Sequence, residues 1–339
     1  MSSKTNILMT GVTGYIGGSV LARFLAHPDF PSFNITTLVR SPEKAEKLKA
    51  LGVEAVVGSH SDEKLVEALA AKSDVVIAMA DADNYEAATA TLRGLKKRNA
   101  ETGTTPIFIH TSGTGVLADN AKGDFHTETI YNDADPDQIE SLPDTQLHRN
   151  VDLEIVRADK EGYLKSYIVL PSTIWGIATG VLVEKGIQNP HSLQVPLLIR
   201  ASLDRGRGGM VGTGKNIWPN VNIEEVADLY IVLFNSICTN APTGHGREGF
   251  YFGESGEHTM YEVGKAIAEA LVALGRSDNP EPSTFTPEEI NKYFEGSTYL
   301  GTNSRCRANR SRAIGWNPVK TKDDFIASIK AEVEALARK

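Results

Sequence analysis

The first half of the chain alternates two hydrophobic patterns. Short, mostly apolar runs at 5–10, 35–40, 54–57, 74–80, 106–110 and 166–170 have the length and composition of buried strands. Between them, 19–25, 42–51, 62–71 and 84–98 read as helices; in 62–71, Leu65, Ala68 and Leu69 fall at helical spacing. Continuous apolar strands separated by helices predict a parallel sheet covered on both faces. Short right-handed crossovers make it a doubly wound, Rossmann-type α/β fold.

The rhythm then changes twice. Residues 113–143 hold Gly, Asn and scattered acids with no clear period, the pattern of a functional or mobile loop. A helix returns at 145–158, where Leu147, Val151, Ile155 and Val156 lie roughly on one face, and the sixth strand ends at Pro171. Beyond it, helices are predicted at 195–204, 223–237, 260–274, 287–293 and 323–336, with one short strand at 249–252 and loops at 180–190 and 278–282. The chain thus divides into a Rossmann core, 1–171, and a smaller, mixed but mainly helical lobe, 172–339. The lobe's strand pieces are too small for a sheet of their own, and some of its segments are free to return to the core sheet. In open α/β folds such a lobe lies over the C-terminal ends of the strands, where ligands bind.

The junction of the first strand and helix carries the chemistry. There the run Gly11-Val12-Thr13-Gly14-Tyr15-Ile16-Gly17-Gly18 follows a buried strand and opens a helix, which predicts a dinucleotide site. Gly11 lets the chain turn sharply, Gly14 leaves room for a pyrophosphate, and Gly17 lets the helix pack close to the sheet. The phosphates would sit on the free amides of the helix N-terminus. The second strand ends in Arg40, whereas an NAD site normally places Asp or Glu about 20 residues past the fingerprint. A guanidinium there can pair with a 2′-phosphate and stack on adenine, so the expected cofactor is NADP(H). Lys44, one short turn on, reads by itself as a surface residue.

Composition adds exclusions. With 339 residues, 41% hydrophobic and 23% charged, the chain is an ordinary soluble globular sequence long enough for a substantial core. Its net charge of −8 argues against non-specific nucleic-acid binding and against an anionic membrane surface. Cys238 and Cys306, the only cysteines, have neither metal-ligand spacing nor a disulfide framework. No secretory apolar region follows Met1, and no stretch approaches a span of about 18 uncharged apolar residues, so the expected compartment is the cytoplasm. Asp119, Asp124, Asp133, Asp135 and Asp137 lack histidine partners and an ordered calcium-loop pattern, so no metal is expected.

Four islands, in order, resemble the extended and atypical short-chain dehydrogenase/reductases. They are Thr10-Gly11-Val12-Thr13-Gly14-Tyr15-Ile16-Gly17, His110-Thr111-Ser112-Gly113, Leu170-Pro171-Ser172-Thr173-Ile174-Trp175-Gly176, and Val221-Asn222-Ile223-Glu224-Glu225-Val226-Ala227. Gly315-Trp316-Asn317-Pro318 is similar as well, and the order of the islands is more specific than any one of them. Within that group the chain resembles fungal epimerase/dehydratase-like and NmrA-like proteins. The resemblance implies cofactor contacts from Gly11, Thr13, Gly14, Tyr15, Ile16, Gly17, Arg40 and Ala80, and from Pro171, Ser172, Thr173 and Ile174. It also implies that Ser112 stands where the family keeps a catalytic serine or threonine.

One departure bears on mechanism. Family reductases carry a tyrosine and a lysine four residues apart at the start of the helix before the sixth strand; here that register holds His148 and Asp152. Histidine titrates near neutrality and can replace tyrosine as proton donor. Asp152, one turn on, is expected to share its helix face and hold its tautomer, and Ser112 to bond the substrate oxygen. His110 reads as a packed core residue, while Thr114, Trp175 and Trp218 read as contacts for the substrate. Gly212-Thr213-Gly214-Lys215 lacks phosphate-loop spacing. Arg305, Arg307, Arg310 and Arg312 form a basic run that suits either a diphosphate or a plain surface.

The expected function is an NADP(H)-dependent oxidoreductase that reduces a carbonyl or conjugated double bond of a small organic substrate. Two alternatives stand beside it. The missing tyrosine–lysine pair favours a dinucleotide-binding sensor without turnover, and the arginine run favours a nucleotide-sugar epimerase or dehydratase. The expected partner is a small molecule, with a homodimer left open.

Overall fold

The computed structural model describes residues 4–338; Met1, Ser2 and Ser3, read as leading straight into the first strand, and Lys339 lie outside the described residues. The strands of three residues or more are, in chain order, β1 Thr5–Thr10, β2 Phe33–Val39, β3 Glu54–Val57, β4 Val75–Ala78, β5 Ile107–Thr111, β6 Lys165–Pro171, β7 Thr173–Trp175, β8 Ile217–Asn222, β9 Phe250–Gly253 and β10 Gly256–Thr259. Seven of them form one parallel sheet in the order β9-β6-β5-β4-β1-β2-β3. Ile7, Leu8 and Met9 of β1, Val75, Val76 and Ile77 of β4, and Ile168, Val169 and Leu170 of β6 are all buried. Unbroken apolar runs of this kind suit strands covered on both faces. The strand order reverses between β1 and β4, and ligand clefts open outside the C-terminal strand ends at such a switch point.

Helix starts follow caps written in the chain. Ser41 accepts the amide of Lys44, Asp62 that of Leu65 and Asn84 that of Ala87. Thr259, Thr286 and Thr321 form capping boxes with Glu262, Glu289 and Asp324.

In the second half one strand returns to the core sheet and, against expectation, the lobe builds a sheet of its own. β9 enters the core sheet as its edge strand, parallel to β6, with Tyr251 opposite Val169. The lobe also holds a sheet of its own, in which β8 pairs parallel with β7 and antiparallel with β10. β8 escaped the sequence reading because Pro219 and two asparagines interrupt its apolar run, although Trp218 and Val221 are buried. The two halves interlock where helix Ile223–Cys238 packs on helix Tyr15–Leu25, with Arg23 bonded to Glu224 at 2.5 Å and Asp228 at 2.7 Å. A second core cluster gathers Trp175, Ile199, Phe285 and Phe325.

The long acidic loop is stitched to the C-terminal region. Tyr131–Asn132 pairs with Cys306–Arg307. The buried Asp133 accepts the amides of Phe252, Arg310 and Ser311, and Asp119 accepts that of Asn303. These acids therefore replace missing secondary structure by satisfying backbone donors. Among the described residues, no group of three or more His, Cys, Asp or Glu is placed to hold a metal, and no helix is long and apolar enough to cross a membrane.

Two buried histidines give the fold an acid sensitivity. Burial pushes His110 on β5 and His258 on β10 down to about 3. An unfolded imidazole titrates near about 6.5, so between those values the unfolded chain binds more protons and stability from these groups rises with pH. On acidification from pH 7 to pH 4, His258→Gln should therefore lose less stability than the parent, by up to about 1.4 kcal/mol per pH unit. Urea unfolding at a series of pH values reads this; parallel stability curves for the two proteins would contradict it.

Candidate active site at the glycine-rich loop

Gly11 and Gly17 are required by the protein itself. Gly11 has a φ of +77°, and a Cβ there would collide with the Met79 carbonyl; one on Gly17 would collide with the Gly11 carbonyl. Gly14 is different. Its backbone is extended (φ −84°, ψ 179°), and the nearest protein atom to a Cβ would be the Gly11 oxygen at 3.1 Å. Any residue can adopt this conformation, so the demand for glycine comes from the space in front of it. Helix Tyr15–Leu25 has no side-chain cap and no acid in its first turn, and its first backbone bond runs from Gly18 to Gly14 at 3.1 Å. The preceding amides of Tyr15, Ile16 and Gly17 are thus left without helical acceptors. Room for a phosphate, free amides and no competing carboxylate fit a dinucleotide pyrophosphate.

From this loop a cleft of about 710 Å³ runs past Met79, Ala80 and Asp81 to Ser112 and His148, and ends among Trp218, Phe294 and Tyr299. Of the expected cofactor contacts, Gly14, Tyr15, Ile16, Ala80, Pro171, Ser172 and Ile174 line it. Gly11 and Gly17 shape the turn behind it, and the Thr13 carbonyl accepts the Asn189 amide. Thr173 is buried outside the cleft, donating to Gln194 at 2.8 Å. Arg40 is exposed just past β2, and among the described residues no hydrogen bond or ion pair engages it. Lys44 instead donates to the Ile187 carbonyl at 2.8 Å. Next to that contact, Gln188 donates to the Tyr15 carbonyl and to Ser19 Oγ, clamping the lobe onto the start of the helix. Nothing in the loop-like stretch 180–190 announced this clamp.

Two strands from β1, just past β5, the Ser112 amide bonds to Val169 on β6, and Ser112 Oγ donates to Asp152 Oδ2 at 3.0 Å. Asp152 is fully buried and its second oxygen has no partner; burial pushes its carboxyl up to about 7, against the lowering effects of the Ser112 bond and of Arg149. The expected pairing of Asp152 with the His148 ring is not found. His148 caps the helix with a left-handed backbone (φ 69°, ψ −20°); its carbonyl still accepts the Asp152 amide one turn on at 3.1 Å, but its ring finds another carboxylate. Asp152 positions Ser112, and the partner of His148 Nδ1 is Asp83, at 2.7 Å, from the segment after β4. Such a backbone costs a non-glycine residue roughly 1–2 kcal/mol, and such strain tends to mark functional positions. His148 Nε2 points to the loop after β5: a Cβ on Gly113 would lie 3.3 Å from it and one on Gly115 3.5 Å. The result is a histidine with one nitrogen held by a carboxylate and the other facing the cleft beside a serine, an arrangement able to donate or accept a proton.

The far end of the cleft is apolar. Thr114 and Trp218 line it. Trp218 Nε1 donates to the Thr302 carbonyl at 2.6 Å, and its ring meets Tyr299 edge to face. Trp175 does not line the cleft: it packs on Phe325 in the lobe core, with Nε1 bonded to Asn220. The cause is strand parity, since alternate residues of β7 face opposite ways and Ile174 takes the cleft side. The arginine run is engaged elsewhere. Arg305 and Arg307 pair with Glu257, Arg310 bonds the Asp133 carbonyl, and Arg312 the Glu254 carbonyl. Among the described residues, no lysine or arginine lines the cleft. Tyr299, Phe294, Leu193 and Asp83 line or serve the site without any local motif that could have announced them.

Comparison with known proteins agrees with this architecture. The NmrA-like family model matches residues 3–128. The oxidase ucsJ of Acremonium sp is 29% identical over 332 residues, covering 92% of each chain. An uncharacterized protein of Schizosaccharomyces pombe is 25% identical over 329 residues, 92% of this chain and 94% of its own. Among solved structures, the UDP-glucose 4-epimerase of Thermotoga maritima aligns with a TM-score of 0.65 at 16% identity, over 98% of this chain and 99% of its own. The dTDP-glucose 4,6-dehydratase of Bacillus anthracis, solved with NAD, gives 0.63 at 15%, over 98% and 97%. At those identities the two structures bear on the fold alone. The matched family model, the relative aligned along most of its length and the shared fold together support the family that the motifs resemble, the extended and atypical short-chain dehydrogenase/reductases, with an NmrA-like N-terminal region.

Proposed function

We propose that the protein is an NADP(H)-dependent oxidoreductase that reduces a carbonyl group or conjugated double bond of a small organic substrate, with His148 as proton donor. One observation carries the reading: His148 Nε2 faces the same cleft as the glycine-rich loop, while Asp83 holds Nδ1 at 2.7 Å. When bound, the reduced nicotinamide supplies hydride; the chain does the rest. The free amides after Gly14 hold the pyrophosphate, and Arg40 pairs with the 2′-phosphate. His148 delivers a proton from Nε2 to the substrate oxygen, and Ser112 bonds that oxygen by turning its one hydroxyl proton from Asp152 to it, the Asp152 carboxyl in its protonated form then donating to Ser112 Oγ.

The absent tyrosine–lysine pair favours a second reading, a dinucleotide-binding sensor. Steady-state NADPH oxidation against a panel of aldehydes, ketones, enones and imines separates the two: turnover supports the enzyme, and tight binding with no turnover across the panel supports the sensor. The cofactor itself is tested by titration. NADPH should bind more tightly than NADH, and Arg40→Ala should shrink that preference about ten-fold or more, the effect of losing a charge-assisted contact. Added salt should weaken NADPH more than NADH, since only one carries the extra phosphate. Equal affinities in the parent would remove the NADP(H) assignment.

A further inference from the structure

We infer that Tyr299 and the apolar wall around it form the substrate subsite: its hydroxyl donates the hydrogen bond that seats the oxygen of an uncharged, flat, apolar carbonyl compound beside His148. This deepens the oxidoreductase reading and rests on it for the reaction, though not for the binding.

The buried tyrosines of this protein commit their hydroxyls. Tyr15 donates to the Gly176 carbonyl, Tyr251 to that of Gly244, and Tyr230 and Tyr167 bond Thr111 and Thr243. That is the usual fate of a buried phenol. Tyr299 differs in place: it is half-buried in the wall of the cleft, its ring is held, and no described residue bonds its hydroxyl. The ring sits edge to face on Trp218, with centroids 5.5 Å apart. Its amide bonds Ser297 Oγ, and its carbonyl accepts Thr302 Oγ1 at 2.7 Å. The hydroxyl reaches the loop after β5 so closely that even a methyl group on Gly115 would collide with it, and that same methyl position is 3.5 Å from His148 Nε2. Phenol and imidazole thus approach the same face of Gly115. Burial, reinforced by the charge of Asp83, holds the phenol above the ordinary tyrosine range, so it stays protonated and acts as a donor.

The surroundings define the ligand. Trp218, Phe294 and Leu300 line this end of the cleft, and Leu193 and Leu197 stand at its rim, Leu193 with 80% of its surface exposed. Large apolar side chains left in solvent beside a cleft mark a binding surface. No lysine or arginine lines the cleft among the described residues, so an anionic substrate would find no compensating charge. Were a bound reduced nicotinamide to supply hydride to the carbonyl carbon, the C=O electron pair would move onto oxygen, and Tyr299, keeping its own proton, would hold that oxygen by a hydrogen bond. The proton that neutralises the oxygen comes from His148 Nε2. Tyr299 therefore stabilises developing charge without changing its own state.

Quenching of tryptophan emission in the full chain tests this, with 2-naphthaldehyde and 2-methylnaphthalene as probes. Both should bind the parent, and UDP-glucose should displace neither. Tyr299→Phe should weaken 2-naphthaldehyde about 5–10-fold, the worth of one hydrogen bond, and leave 2-methylnaphthalene unchanged, which a merely structural role for the phenol would not do. Equal binding of both probes by Tyr299→Phe and the parent, no saturable binding of 2-naphthaldehyde, or its displacement by UDP-glucose would each overturn the assignment. NADPH titration of the same proteins keeps the two questions apart: a parent that binds the probes as stated but no NADPH upholds the subsite and refutes the proposed function.

Discussion

Gly14→Val should abolish dinucleotide binding, by about 10³-fold or more, while the protein remains folded. The backbone at Gly14 suits any residue, and a Cβ there meets only one protein atom, at 3.1 Å. The branched side chain therefore projects into the cleft, where it occupies the pyrophosphate space and covers the free amides of the helix start. Gly11→Ala is the informative contrast. At a φ of +77°, with the Met79 carbonyl in the way, even a methyl group must deform the turn, so this variant should lose stability as well as binding. Fluorescence titration with NADPH, beside thermal unfolding, reads both effects. A Gly14→Val protein that bound NADPH at parental affinity would mean that the dinucleotide lies elsewhere.

His148→Ala should reduce turnover about 10²–10⁴-fold, the usual contribution of a positioned acid, with NADPH affinity unchanged. The left-handed backbone at this position complicates an alanine variant, because the helix start could shift. His148→Asn answers that objection: asparagine tolerates left-handed dihedrals better than alanine, keeps the cap geometry, and cannot deliver a proton. Both variants should fall together. Asp83→Asn should cost less, since it disturbs only the orientation and charge beside Nδ1. Activity persisting undiminished in His148→Asn would discard the acid role and turn attention to Ser112 or to water.

Much of the fold was legible because its signals are local. The alternation of apolar runs and helical spacing marks the doubly wound sheet, and caps such as Asn84 and Thr259 mark helix starts within a residue or two. The strand, glycine-rich turn and helix at 5–25 are legible for the same reason. What was missed depends on geometry that periodicity does not carry. Helical spacing puts His148 and Asp152 one turn apart, and their backbones are bonded so, but with a left-handed residue at the cap the two side chains take different partners. Nothing in the sequence says which face of β7 is inward, and strand parity turns Trp175 away from the cleft. Tyr299 lies far along the chain from Ser112 and His148, so only tertiary packing could bring it to them.

The placement of β9 also bears on how the protein is made. β6 is complete at Pro171, but its outer partner is supplied by residues 250–253. Until those residues leave the ribosome, a nascent chain carries a strand with Ile168, Val169 and Leu170 along an open edge. Such an edge is a template for pairing with other chains. A product ending between the two strands is therefore not a small self-sufficient nucleotide-binding unit but an aggregation hazard, and expression of the isolated first half should yield insoluble protein.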